Sequence, residues 1–219
     1  PTRIKADFAT ATAIGDLDGD SKIDIAVAVF QEKTDKSFDS NSLIFFGQGQ
    51  RNFELSPDYV PTSGATDVVI VSPENNQPGR AVFANRLAGT LYERVPVYVY
   101  WGAHEGFTPD NRWIIPGQSG HEATGADLNA DGYVDLVMTL TAHGGPPALK
   151  NPIIGTNILW GGPNGFDLES RRTVLPEPYM DTSTAADLNR DGYLDIVLGG
   201  WDQWYAEGED KEAYIAIYY

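Results

Sequence analysis

The 219-residue sequence contains no cysteine. That absence excludes disulfide bonds, thiolate metal sites and cysteine nucleophiles together. The chain also lacks any run approaching the roughly 18 apolar residues that a membrane helix requires. No stretch repeats its apolar residues at a helical period. Histidine is scarce: His104, His121 and His143 are scattered, and none has a partner at metal-ligand spacing. Each reads as a surface or turn residue rather than a catalytic one. Basic residues are few as well. The 15 Lys and Arg face 31 Asp and Glu, a formal charge of −16. Such a surface repels nucleic acid and anionic lipid head groups, so no nucleic acid and no membrane insertion is expected. The chain opens on Pro1 with no signal peptide visible. It reads as a mature or excised segment whose leader has been removed.

What is present belongs to a folded protein of many short strands. Hydrophobic residues make up 42% and aromatics 11%, above what a disordered chain carries. The 14 Pro and 23 Gly fall in short clusters that suit turns. Ten of the 31 acidic residues sit in three loops, four Asp in the first and three in each of the others. Three divalent ions would bring the formal charge from −16 to −10. Part of the acidity therefore reads as ligand charge.

Those three loops mark an internal repeat. AIGDLDGDSKIDIAVAV from Ala13, TGADLNADGYVDLVMTL from Thr124 and TAADLNRDGYLDIVLGG from Thr184 align without gaps. Their leading residues Asp16, Asp127 and Asp187 lie 111 and 60 residues apart. The first interval is about two units, which predicts a hidden unit between them. A second marker supports it: an aromatic or branched strand followed by a Gly/Phe turn ends at Phe53, Phe107 and Phe166. The hidden unit keeps the strand and the turn and has a different connector where the acidic loop would be.

Each unit reads as four strands, here termed a to d. In the last two units these are a at 184–186, b at 194–198, c at 157–160 and d at 171–175. Four strands in 40 to 60 residues predict an all-β fold, a propeller of four-stranded blades. The units run approximately 6–60, 61–116, 117–176 and 177–219, in a single domain. Residues 1–5 resemble a strand d without its strand c. Pairing them with the last unit would close four blades and cover an open edge. The alternative is a fragment of a larger propeller.

Each acidic loop follows D-x-[DN]-x-D-x-x-x-D. The side-chain candidates are Asp16, Asp18, Asp20 and Asp24; Asp127, Asn129, Asp131 and Asp135; and Asp187, Asn189, Asp191 and Asp195. The carbonyls of Lys22, Tyr133 and Tyr193 at position 7 complete each set. Calcium takes six to eight oxygens, which this spacing can wrap round one ion, so three calcium ions are expected. Gly132 and Gly192 at position 6 permit the sharp turn. The first loop has Ser21 there and Gly19 at position 4, so its geometry is expected to differ. An EF-hand shares the opening spacing, yet it needs Glu at position 12 and flanking helices. Here position 12 is Val27, Met138 or Leu198. A metal-free Asx turn is the other alternative. Three in register, each massing carboxylates, argue against it.

The loop, the hydrophobic strand after it and the G-x-x-x-G-F turn together resemble the FG-GAP/VCBS repeat family, which includes the propeller of integrin α chains. The resemblance covers nearly the whole chain; it is strong in units one, three and four and weak in unit two. It implies a loop joining strands a and b on the lower face of a propeller. It also implies a structural metal held by the twelve side chains named above.

The b–c loops at 31–41, 85–94, 143–152 and 201–211 are long and unlike one another, as binding loops on a regular scaffold are. In the last, Trp201, Trp204 and Tyr205 can stack on sugar rings and Asp202 and Gln203 can hydrogen-bond hydroxyls. The competing reading packs these aromatics against a neighbouring blade or into a central channel. Trp101 and Trp160 end strand c at equivalent places, which reads as packing. Glu207, Glu209 and Asp210 can form an acid/base pair, though a solvated acidic loop is the better account of them.

The expectation is a calcium-stabilised binding or adhesion module that recognises glycans or protein partners, not an enzyme. It is expected to be extracellular, at the cell surface or periplasmic, where calcium is millimolar. The alternatives are a catalytic or accessory part of a polysaccharide-degrading enzyme, or a structural subunit of a larger assembly.

Overall fold

A computed structural model describes residues 3–31, 37–50, 52–71, 78–88, 95–101, 106–115, 120–140, 155–167, 169–177, 180–200 and 215–219. Among them every regular element is a strand. The strands form separate antiparallel sheets, divided between two compact units, Pro1–Ser119 and Gly120–Tyr219.

The first unit holds two four-stranded meanders. One is built from β1 (Ala9–Gly15), β2 (Asp24–Val29) and β3 (Asp39–Phe45). A short ribbon of β4 (Gly47–Gly49) and β5 (Asn52–Phe53) then leads to β6 (Asp58–Ser63), which pairs with β3. The second meander is β7 (Ala65–Val71), β8 (Arg80–Asn85), β9 (Val97–Trp101) and β10 (Arg112–Ile115). The second unit repeats the order with β11 (Gly120–Ala126), β12 (Asp135–Leu140), β13 (Asn157–Leu159) and β14 (Arg172–Val174). Its last sheet is β15 (Met180–Ala186), β16 (Asp195–Gly200) and β17 (Ile215–Tyr218).

The strands alternate small or branched residues between two faces, and the core follows that alternation. On β2, Ala26 and Ala28 join a cluster with Ile44, Val60, Val68, Phe83 and Tyr100, between the first and second sheets. Val27 and Val29 point the other way, against Leu43 and Phe45. The small alanines let β1 and β2 lie close to β7, and Thr10 Oγ1 donates to the Ala65 carbonyl at 2.8 Å. In the second unit Leu128, Val137, Ile158, Ile196 and Leu198 make the corresponding core. There Thr124 Oγ1 donates to the Ser183 carbonyl at 2.9 Å. Each fully buried Val, Ile, Leu or Phe side chain contributes roughly 1.5–3 kcal/mol.

All four a–b hairpins share one construction. A bulge lies in the first residues of each strand a, at Ala9/Ala11, Ala65/Asp67, Gly120/Glu122 and Met180/Thr182. The pairs next to the connector are Gly15↔Asp24, Val71↔Arg80, Ala126↔Asp135 and Ala186↔Asp195. Every connector is therefore eight residues long, at 16–23, 72–79, 127–134 and 187–194.

Several expected boundaries shift. The last strand a, expected at 184–186, starts at Met180. Beyond the buried Met180, its DTST segment gives no hydrophobic signal, yet Ser183 is buried and bonded to Thr124. The first b–c loop, expected to run to 41, ends before β3 opens at Asp39, because Ser40 and Ser42 are buried strand residues. Ser40 Oγ donates to the Val29 carbonyl at 2.8 Å, and Ser42 and Thr62 hydroxyls meet at 2.9 Å. Of the expected closing strand at 1–5, residues 3–5 lie outside any strand. Ile4 packs instead with Ala6 against the Val27–Phe45 cluster.

Candidate metal centres

Three of the four a–b connectors carry the acidic pattern, and each folds into a turn held by its own side chains. The carboxylate at position 1 accepts two backbone N–H bonds across the loop. Asp16 takes them from Gly19 at 2.7 Å and Ser21 at 2.8 Å. Asp127 takes them from Asp131 at 3.1 Å and Gly132 at 2.9 Å, and Asp187 from Asp191 at 3.1 Å and Gly192 at 3.0 Å. Position 3 accepts from the N–H of position 5: Asp18 at 3.0 Å, Asn129 at 2.9 Å and Asn189 at 2.8 Å. Position 5 accepts from position 7, where Lys22, Tyr133 and Tyr193 donate to Asp20, Asp131 and Asp191 at 2.9–3.0 Å.

The backbone turns left-handed twice in each loop, at positions 4 and 6. The φ values are 82° and 64° for Gly19 and Ser21, 56° and 87° for Ala130 and Gly132, and 64° and 95° for Arg190 and Gly192. At positions 4 and 6 the first loop thus takes the same left-handed backbone as the others, Ser21 included. Glycine relieves one left-handed position in each loop, and the loops differ only in which one. What does differ is one hydrogen bond, since Asp16 reaches the N–H of position 4 rather than position 5.

Position 9 does something the sequence does not announce. Asp24, Asp135 and Asp195 are almost wholly buried. Asp24 Oδ2 accepts from the Leu17 N–H at 2.7 Å, and Oδ1 from the Gly47 N–H at 2.7 Å. Asp135 repeats this with Leu128 at 2.9 Å and Gly161 at 2.7 Å. Asp195 accepts from Leu188 at 2.8 Å. In the first and third sheets this carboxylate thus ties its loop to the end of strand c, at the first glycine of the Gly/Phe turn. That residue must be glycine: a Cβ there would lie 2.2 Å from the Ile23 carbonyl oxygen at Gly47, or from that of Val134 at Gly161. The clue in the sequence was a glycine at the same place after both strands, legible only once the pairing is known.

Burial and neighbouring charges both act on the carboxyls of these loops. Burial pushes the Asp24 and Asp135 carboxyls up, against the backbone N–H groups that pull them down, and neighbouring aspartates add to the rise. Burial also raises Asp18. Asp20 is lowered instead, by hydrogen bonds from Lys22, whose ammonium pairs with it. In the third sheet Arg171 approaches Asp131 at 3.4 Å.

Ligand atoms of Asp16, Asp18 and Asp24 lie within 4.8 Å of one another. Oxygens on opposite sides of a calcium ion stand at most about 5 Å apart, so this cluster fits such an ion. Asp20 stands outside it, held by Lys22. The other two loops carry Asn129 and Asn189 at position 3, whose neutral oxygens replace one carboxylate.

No family model matches the chain, and no curated protein matches it either. The expected ligand-face residues Trp201, Asp202, Gln203, Trp204 and Tyr205 lie outside the described residues, as do His104, His143, Glu207, Glu209 and Asp210. His121 sits on β11, where its Nδ1 meets the Asp181 carbonyl at 3.0 Å. Trp160 packs against the second unit's core, and its indole N–H donates to Thr173 at 2.9 Å.

Proposed function

We propose that the chain is a calcium-stabilised β-propeller module of the FG-GAP/VCBS kind. In this reading it binds glycans or protein partners through the b–c loops opposite its metal loops. The observation that carries the reading is the recurrence of one Asp/Asn turn in three eight-residue connectors, each closed by a buried aspartate. Calcium would take the side-chain oxygens of positions 1, 3, 5 and 9, with the position-7 carbonyls of Lys22, Tyr133 and Tyr193. Its chemistry there is structural: it neutralises massed carboxylates and locks the a–b turn, and no reaction runs through it. In the first loop Asp20 would have to leave Lys22 to join the ion.

Four meanders in sequence order support the propeller, and the metal loops mark one end of each blade that carries them. The divergent b–c loops then lie at the other end, with Trp201, Trp204 and Tyr205 as stacking surfaces. An extracellular or periplasmic setting follows from loops that would fill at millimolar calcium. Isothermal titration with calcium tests the metal reading; three sites are expected, and absence of heat and of any shift in melting temperature sinks it. A glycan array with Trp201→Ala and Trp204→Ala tests the face. Binding unchanged from wild type would remove those residues as the site.

A further inference from the structure

The second sheet closes its a–b hairpin without the acidic pattern, and its residues at that end point to a different ligand. Arg80 occupies the place in the β7–β8 register that Asp24, Asp135 and Asp195 occupy in the other hairpins. It pairs across to Trp101 on β9, and Trp113 lies two residues further along the same face of β10, opposite Val99. The guanidinium carbon sits 4.7 Å from the centre of the Trp113 ring. The Trp101 and Trp113 rings are 5.0 Å apart, inclined at 49°. All three side chains are half-buried.

Among the described residues Arg80 is engaged by this stacking alone. It makes no hydrogen bond or ion pair with any described residue, in a protein with 31 Asp and Glu. Other half-buried arginines are engaged: Arg112 donates to the Tyr100 hydroxyl at 2.8 Å, and Arg171 meets Asp131 at 3.4 Å. The Arg80 guanidinium carries five donors and no acceptor, which suits an incoming anion. Its planar fork matches a carboxylate in bidentate fashion. The two indoles beside it are half-buried, which leaves part of their apolar surface exposed for a sugar ring.

We propose that Arg80, Trp101 and Trp113 form a binding site for an acidic saccharide. Its uronate carboxylate lies on the Arg80 fork and its ring against the tryptophan pair. The site uses no residue of the loop carrying Trp201 and Trp204 and none of the candidate metal ligands, although Gly79 beside Arg80 donates to the Asp16 carbonyl. The test is titration with tetragalacturonate at one fixed free-calcium concentration, read by indole fluorescence, with neutral cellotetraose as comparator. Saturable binding of the uronate but not of cellotetraose is expected, weakened at least tenfold in Arg80→Ala and in Trp101→Ala. Arg80→Lys keeps a cation over Trp113 and loses the fork, so a severalfold loss is expected there even if Arg80→Ala does not fold. Absence of uronate binding, equal binding of cellotetraose, or full affinity in Arg80→Lys overturns the site. So does a loss confined to the Trp201→Ala, Trp204→Ala variant, an outcome that would leave the b–c loop reading standing.

Discussion

The β1–β2 and β7–β8 hairpins are the same object closed in two ways. Both have an eight-residue connector, the same strand pairing beside it and a bulge early in the first strand. They pack on each other, sharing one core through Ala26, Ala28, Val68 and Phe83. The Gly79 N–H of the second connector even donates to the Asp16 carbonyl of the first, at 2.9 Å. Yet one ends on a buried aspartate and the other on a half-buried arginine. Strand pairing and core packing therefore set the hairpin's geometry, and the connector's chemistry is free to change within it. The aspartate hairpin concentrates negative charge that favours a cation. The arginine hairpin presents positive charge, laid over an aromatic ring.

The largest expected effect comes from removing metal, which should separate the two hairpins. Each calcium held at 100 times its Kd would stabilise the fold by about 2.7 kcal/mol. Chelation should lower the melting temperature by several degrees per occupied site, and differential scanning calorimetry reads this directly. Hydrogen exchange should show protection lost at 16–24 and retained on β7 and β8. Equal loss in both hairpins would break the comparison.

Next in size is Asp24→Ala. It leaves the Leu17 and Gly47 N–H groups without their acceptor in a buried place. Each orphaned donor costs about 1–3 kcal/mol, so chemical denaturation should show a loss of roughly 2–6 kcal/mol even without calcium. Loss only when calcium is present would mean that the clamp works solely through metal.

Gly47→Ala and Gly161→Ala should each cost about 1–3 kcal/mol, because the added Cβ meets a backbone carbonyl that cannot swing aside. The measurement is again a denaturation midpoint, and a neutral result at either position would discount the close approach. The smallest effect is a gain. Ser21→Gly removes a side chain from a left-handed residue and should stabilise the protein by about 0.5–1 kcal/mol. A loss would mean that the Ser21 side chain supports the loop.

Much of the architecture was legible beforehand because strand c and strand b carry strong apolar runs, and these fell where expected. Strand a was read short. Its Thr, Ser and Ala residues owe their place to hydrogen bonds with the neighbouring sheet, such as Thr124 to Ser183, which no local pattern displays. The three acidic turns were legible as an Asp/Asn spacing, since that information is contained in nine consecutive residues. The clamp from Asp24 to Gly47 and from Asp135 to Gly161 was not, because it joins residues 23 and 26 positions apart through a strand pairing.

The sequence by itself determined which residues alternate between faces, where the turns fall and which loops mass carboxylates. These are properties of short segments, dictated by side-chain period, glycine placement and charge. Only the tertiary structure decided that Ser21, Ala130 and Arg190 accept left-handed backbone, that position 9 is buried beneath its loop, and that Arg80 stands where an aspartate stands elsewhere. Those outcomes depend on which strands pair and in which register, and register is set by the packing of faces across sheets rather than by any single segment.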